Sequence, residues 1–121
     1  MRIHVTFIGL GQTFLVLGIA FGVWLGASKN FAYADAHAHW NLLGCVVPTL
    51  YGLIHRAYPR LVLSRLAWPQ LIGYFLGVLI FVPGLVVEIN TGSPAVLIPG
   101  AILILLSTLT FLFLLLTGDH T

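Results

Sequence analysis

Charge is the scarcest property of this chain of 121 residues. Only 7% of the residues are charged, five Lys or Arg and three Asp or Glu, whereas 60% are hydrophobic. A soluble domain carries about 25% charged residues, so the composition excludes a soluble globular protein. The net charge of +2 comes from too few groups to indicate nucleic-acid binding, and we expect no nucleic-acid partner.

Cysteine is nearly absent as well. Cys45 is the single cysteine and lies inside an apolar run, which excludes an intrachain disulfide and favours a small buried side chain. A cleavable leader is not expected, because the first apolar run, Ile3–Ala27, is longer than the roughly 7–15 apolar residues of a signal-peptide core.

The chain consists instead of long apolar segments joined by short connections. A helix needs about 20 apolar residues to cross the ~30 Å hydrocarbon layer, and short connections make successive helices antiparallel neighbours. We therefore expect one all-α domain over residues 1–121, an integral membrane four-helix up-down unit in the lipid bilayer. The expected helices cover about residues 3–27, 36–58, 68–89 and 94–117.

Small residues and prolines recur inside these segments. Proline removes an intrahelical donor, so Pro48, Pro83 and Pro99 are each expected to kink a helix. Glycines spaced by four favour close helix packing in lipid, although they would also make a flat surface for a planar ligand. These glycines are Gly18, Gly22, Gly26, Gly73 and Gly77.

The basic residues predict the orientation in the membrane. The four arginines fall on one expected side: Arg2, Arg56, Arg60 and Arg65. The other side carries Lys29, offset by Asp35, with Glu88 near a helix end. The positive-inside rule then places the N and C termini in the cytoplasm, and puts the segment after Asp35 near the outer surface.

That outer segment, "ADAHAHWNLLG", contains two histidines one residue apart. Ionisable groups in a membrane span are functional candidates, and imidazole is a good ligand for iron, copper and zinc. Residues two apart on a helix point about 200° from each other, so His37 and His39 cannot ligate one metal. They serve two half-sites on opposite faces, or they are interfacial residues with Asp35 as a helix cap. Asn41, one turn from His37, is a candidate to orient that ring.

Two further histidines fall at the inner ends of the first two helices. His4 and His55 are expected to approach one another there. A metal site is one interpretation, and histidines that extend their rings to the membrane interface are the other.

The stretch "DAHAHWNLLG…LYGLIHRAYP", between Asp35 and Pro59, resembles the second helix of small four-helix proteins related to subunit I of haem–copper oxidases. In the large oxidases, a histidine–any–histidine motif near the outer surface supplies axial ligands to two haems on opposite faces of one helix. His37 and His39 match that motif, and Trp40 matches the aromatic residue that often follows it. The rest of the chain matches only in hydropathy.

The resemblance implies an assembly as well as a cofactor. The oxidase subunit has twelve helices in three pseudo-symmetric arcs of four, and this chain is similar to one arc. It therefore implies a twelve-helix homotrimer in a bacterial inner membrane, with a dimer as the alternative. Haem b would lie between subunits, with His37 from one and His39 from the next as axial ligands, and with Trp40 and Asn41 beside it.

The match stops at the oxidase's copper site. The chain has neither the adjacent pair of copper-binding histidines nor the tyrosine linked to a copper ligand, so oxygen reduction is not implied and enzymatic activity stays open. Two strong-field imidazoles favour electron transfer, to an unknown redox partner. The alternatives are a haem- or copper-based gas sensor or metal accessory protein, and a cofactor-free membrane assembly protein.

Overall fold

The computed structural model describes residues 2–118, and over this range the backbone is helical apart from short connections. Its helices are α1 Ile3–Ser28, α2 Ala34–Asn41, α3 Val47–Ala57, α4 Ala67–Thr91 and α5 Leu97–Thr117. Short 3₁₀ turns occupy Phe31–Tyr33 and Pro59–Leu63. The expected cytoplasmic placement of the two termini concerns Met1 and Thr121, and both lie outside the described residues.

Three of these helices, α1, α4 and α5, are long and apolar enough to cross a membrane. Most of the large apolar side chains on them face outward, among them Val16, Leu79 and Leu105. An outward apolar surface is favourable only in lipid or against another apolar surface. The structure is therefore that of an all-helical membrane protein with several spans.

The second expected span is a helical run divided by a π-helical segment. The segment Leu42–Val46 joins α2 to α3, and the backbone stays right-handed helical from Asn41 through Val47. The N–H of Val47 donates to the carbonyl of Leu42, five residues earlier. The next nitrogen belongs to Pro48, which has no N–H, so the carbonyl of Leu43 accepts from the Tyr74 hydroxyl on α4 at 2.7 Å.

Neighbouring helices run antiparallel and touch through glycines. On α4 and α5, a Cβ added to Gly77 would lie 3.0 Å from the Ile104 nitrogen, and one added to Gly100 would lie 2.6 Å from the Phe81 nitrogen. The interior is aromatic, and its buried rings are Phe7, Phe14, Tyr51, Tyr74, Phe75 and Phe111. Gly77 and Gly100 therefore act in helix packing, whereas nothing in the described chain lies within 4 Å of a Cβ added to Gly26.

Helix α5 begins three residues later than the sequence pattern predicts. The Ser93 side chain accepts from the Ala95 N–H, and the helix proper starts at Leu97. Pro99 thus lies in the first turn, where its missing N–H leaves no intrahelical bond unmade. The expected kink at Pro99 does not arise, whereas Pro83 does lie inside α4.

The two ends of the molecule differ in charge. Arg2 and Arg56 line one cavity at one end, where the start of α1 approaches the end of α3. At the other end, the Tyr33 hydroxyl donates to Asn90 Oδ1 at 3.0 Å. Asp35 lies two residues beyond Tyr33, and Glu88 lies two before Asn90, so the carboxylates of residues 2–118 sit at the end away from these arginines.

Candidate functional site

His39 lies on α2 with one ring nitrogen bonded and the other unbonded. Its Nδ1 is 2.8 Å from the carbonyl oxygen of Asp35. A carbonyl only accepts, so Nδ1 carries the proton and Nε2 keeps its lone pair. The half-buried ring packs 5.5 Å from the Phe81 ring on α4, and within the described chain no group bonds Nε2. This arrangement, with the second nitrogen anchored on a carbonyl, is typical of a metal-ligating histidine.

His37 faces the opposite neighbour, α1. Its Nε2 is 3.0 Å from the Gly18 carbonyl oxygen, and its ring centroid is 5.7 Å from that of Phe21. A Cβ on Gly22 would lie 2.8 Å from the same nitrogen. The rings of His37 and His39 thus lie against different helices, as their spacing predicts. The donation to Gly18 leaves Nδ1 as the His37 nitrogen with a lone pair.

Asn41 contacts the His37 ring, as the one-turn spacing predicts. The amide nitrogen is placed 3.2 Å from His37 Nε2, while the Asn41 Oδ1 is buried without a partner. Because Nε2 already donates to Gly18, the amide can bond it only through its oxygen. The two amide atoms are exchangeable in shape, so we assign Oδ1 to the His37 side.

Trp40 ties α2 to α1. Its Nε1 donates to the Phe14 carbonyl oxygen at 2.7 Å, and the two rings are 4.5 Å apart. Phe14 and Gly18 are one turn apart on α1, so Trp40 and His37 bind carbonyls on successive turns of that helix. Both side chains therefore have a structural role, whatever they contact in addition.

An apolar cleft of about 660 Å³ opens beside Trp40, between α1, α2 and α4. Its lining residues are Leu17, Phe21, Ala36, Trp40, Val82, Pro83, Val86 and Val87. Neither His37 nor His39 lines it. A metal ligated by either imidazole would consequently lie outside this cleft.

The described residues contain no group of three metal-ligating side chains. His37 and His39 lie on different faces, so each can offer a metal only one imidazole from this chain. Haem suits such half-sites, because the porphyrin occupies the equatorial positions of its iron and the protein supplies axial ligands. A site with two axial imidazoles would then need a ligand from a second chain.

His4 and His55 come together at the arginine-bearing end, as the sequence predicts, but they differ in exposure. His55 does not extend to the interface: its side chain is only 2% exposed, and both ring nitrogens are buried without a partner. His4 is half-buried nearby, and both residues line a cavity of about 260 Å³. The signal in the sequence was the spacing of Tyr51 and His55, which places His55 one turn along a buried face.

No model of a protein family, no curated protein and no solved structure matches this chain.

Proposed function

We propose that the protein is a b-type haem protein of a bacterial inner membrane that transfers electrons. His39 would be one axial ligand, through Nε2, and His37 of a neighbouring copy the other, through Nδ1. The observation that carries the proposal is the His39 ring, fixed by its 2.8 Å bond to the Asp35 carbonyl with Nε2 uncommitted. When bound, haem supplies a one-electron iron couple, and two imidazole ligands favour electron transfer over oxygen chemistry.

The finer architecture belongs to the same proposal. The helical run of α2, the π segment and α3 would be a fourth span, since it rises about 36 Å at ~1.5 Å per residue. Three copies would then form a twelve-helix homotrimer with closed cyclic symmetry. The arginine-bearing end would face the cytoplasm under the positive-inside rule, which puts His37 and His39 near the outer surface.

The test is the absorption spectrum of protein purified from a haem-replete host. We expect a Soret band that is lost in His39→Ala and in His37→Ala and kept in His4→Ala, a histidine variant at the opposite end of the helices. Absence of a Soret band from the unsubstituted protein refutes haem binding and favours a cofactor-free assembly protein.

A conservative variant separates ligation from folding. His39→Met should keep haem, because a thioether is an axial ligand, and should raise the reduction potential. An unchanged potential with full haem content would show that His39 does not touch the iron.

One observation favours a second candidate, a gas sensor. Because the Nε2 of His37 is committed to the Gly18 carbonyl at 3.0 Å, Nδ1 is the His37 nitrogen left for iron, and an iron that this nitrogen does not reach would be held by His39 alone and would keep an open position. Carbon monoxide added to the reduced protein decides between the two functions. A shifted Soret band supports the sensor, and an unchanged spectrum supports the electron-transfer protein.

A further inference from the structure

We propose that the arginine-bearing end holds a binding site for the phosphate group of an anionic lipid, at the cavity between the start of α1 and the end of α3. This inference is independent of haem. The lining residues are Arg2, Ile3, His4, His55, Arg56, Pro59 and Val62, and the cavity measures about 260 Å³. That volume is slightly below the roughly 300–1,000 Å³ of sites for drug-sized ligands, and suits a phosphate-sized group.

The floor of the cavity is an imidazole without a hydrogen-bond partner. His55 is 2% exposed, and neither Nδ1 nor Nε2 has a partner within the described chain. Phe7 stacks on the ring at 5.6 Å, and Phe111 meets it edge-on at 5.5 Å. These aromatic contacts fix the ring in the cavity wall. Buried polar atoms of native proteins have partners in the great majority of cases, so a donor fixed at this place indicates a missing acceptor.

The groups around His55 favour an anion. Arg2 and Arg56 lie at the exposed rim, and arginine binds phosphate oxygens through two parallel N–H groups. The first turn of α1 begins at Ile3 beside the same cavity, and the free N–H groups of a helix start attract anions. The carboxylates in residues 2–118, Asp35 and Glu88, lie at the other end, so none of them neutralises this site.

The position in the fold points to lipid as the source of the phosphate. The cavity lies at an end of membrane-spanning helices, at the level of lipid headgroups. Basic pockets between helices on the cytoplasmic side bind anionic headgroups. Free inorganic phosphate offers the same chemistry, so the experiment includes both.

Native mass spectrometry of the full chain in detergent tests the site. Phosphatidylglycerol should bind about tenfold more tightly than phosphatidylcholine with the same acyl chains, because only the former is anionic. Arg56→Gln and Arg2→Gln should each weaken phosphatidylglycerol binding about tenfold, since each removes a charged hydrogen-bond donor. Arg65→Gln is the matched control, because Arg65 is exposed at the same end and does not line the cavity; its affinity should stay within about twofold.

His55→Phe separates the site from folding. The change keeps an aromatic ring between Phe7 and Phe111 and removes both unpartnered nitrogens. We expect the melting temperature to hold or rise, because no polar atom remains buried there, while phosphatidylglycerol affinity falls about tenfold. Unchanged affinity in a folded His55→Phe variant would overturn the role of His55 as the floor of the site.

Competition identifies the source of the phosphate. If inorganic phosphate displaces phosphatidylglycerol, the site takes the phosphate group whatever carries it; if only the lipid binds, the site takes the intact headgroup. Equal affinity for the two lipids overturns the proposal. So does a loss in Arg65→Gln as large as that in Arg56→Gln, because it would show only a general attraction of the arginines to anionic surfaces.

Discussion

Side-chain N–H groups on α2 need acceptors within the protein, because the hydrocarbon interior of a membrane supplies none. Trp40 donates to the carbonyl of Phe14 on α1, and His37 donates to the carbonyl of Gly18 on the same helix. The two bonds hold α2 on α1, and the bond to Gly18 fixes which His37 nitrogen has a lone pair. His39 is the other α2 histidine with a ring nitrogen that is free within the described chain, Nε2, and its ring packs against Phe81 on α4 instead of against α1.

The close approach at Gly18 yields a matched pair of variants. A Cβ at Gly18 would lie 2.9 Å from the Trp40 Cδ1 atom and would also meet the Asn41 amide, whereas nothing lies within 4 Å of a Cβ at Gly26. We expect Gly18→Ala to destabilise the protein by about 1–3 kcal/mol, the usual cost of overpacking. Gly26→Ala should be neutral or should stabilise by roughly 0.5–1 kcal/mol, because alanine has the higher helix propensity.

Thermal unfolding in detergent measures both variants. Haem content should fall with stability only in Gly18→Ala, since that change displaces the side chains that hold His37. Equal melting temperatures for the two variants would mean that α1 and α2 do not pack through Gly18.

At the scale of elements, the π segment is a consequence of one proline and one tyrosine. Pro48 removes the donor that would serve the Leu43 carbonyl, and the Tyr74 hydroxyl on α4 replaces it at 2.7 Å. The Leu43 carbonyl thus accepts a hydrogen bond from another helix. The wide π turn of Leu42–Val46 therefore need not tighten into an α-helical turn to supply a donor. The segment lies directly after Asn41, and it ends the α-helical turns that carry His37 and His39.

A double-mutant cycle tests this explanation. Tyr74→Phe leaves the Leu43 carbonyl without its donor, and we expect a loss of about 1–3 kcal/mol in the free energy of unfolding. In a Pro48→Ala background the alanine N–H can take over that role, so the same change should cost measurably less. Tyr51→Phe is the control, because its hydroxyl donates to Thr108 Oγ1 at 3.1 Å. Its cost should not depend on residue 48, and additivity of the Tyr74 and Pro48 changes would refute the coupling.

The positions of the long apolar helices could be predicted from the sequence, because the thickness of the bilayer sets their length and residues that favour a left-handed backbone mark their ends. Helix α1 ends at Ser28, before the left-handed Lys29 with φ 54°, and α4 ends at Thr91, before Gly92 with φ 73°; both ends agree with the pattern to within two residues. The π segment could not be predicted. A proline in a helix permits a kink or a wide turn, and the donor that decides between them, Tyr74, is 31 residues from Leu43.

The candidate site was predictable only in part, for a similar reason. Spacing alone places His37 and His39 on opposite faces, and contact with Asn41 follows from the helical turn. The carbonyl that engages each imidazole depends on tertiary packing, which is why the commitment of His37 to Gly18 was not foreseen. The interface was one of two interpretations of His55, and its burial depends on the rings of Phe7 and Phe111, about which its place near a helix end says nothing.

At the scale of the whole molecule, the charge difference between the two ends predicts orientation. In a Cys45→Ala background, Arg65→Cys should react with a membrane-impermeant thiol reagent only in inside-out vesicles, because the positive-inside rule puts that end in the cytoplasm. Lys29→Cys, at the other end, should react only in right-side-out vesicles. The opposite pattern would place His37 and His39 on the cytoplasmic side, and would put the arginine-bearing end with its proposed lipid site on the outer side.

If haem is shared between copies, two inactive histidine variants should complement one another when they are co-expressed, whereas a haem site within one chain predicts no such recovery. His37→Ala and His39→Ala should each bind no haem when expressed alone, since every site loses one ligand. When the two variants are co-expressed in equal amounts, about a quarter of the sites in a cyclic assembly join an intact His37 to an intact neighbouring His39. The Soret band should therefore return to about a quarter of the unsubstituted intensity. Co-expression without any recovery would refute a haem bridged by these two histidines, and the mass of the complex in detergent would separate a trimer from a dimer.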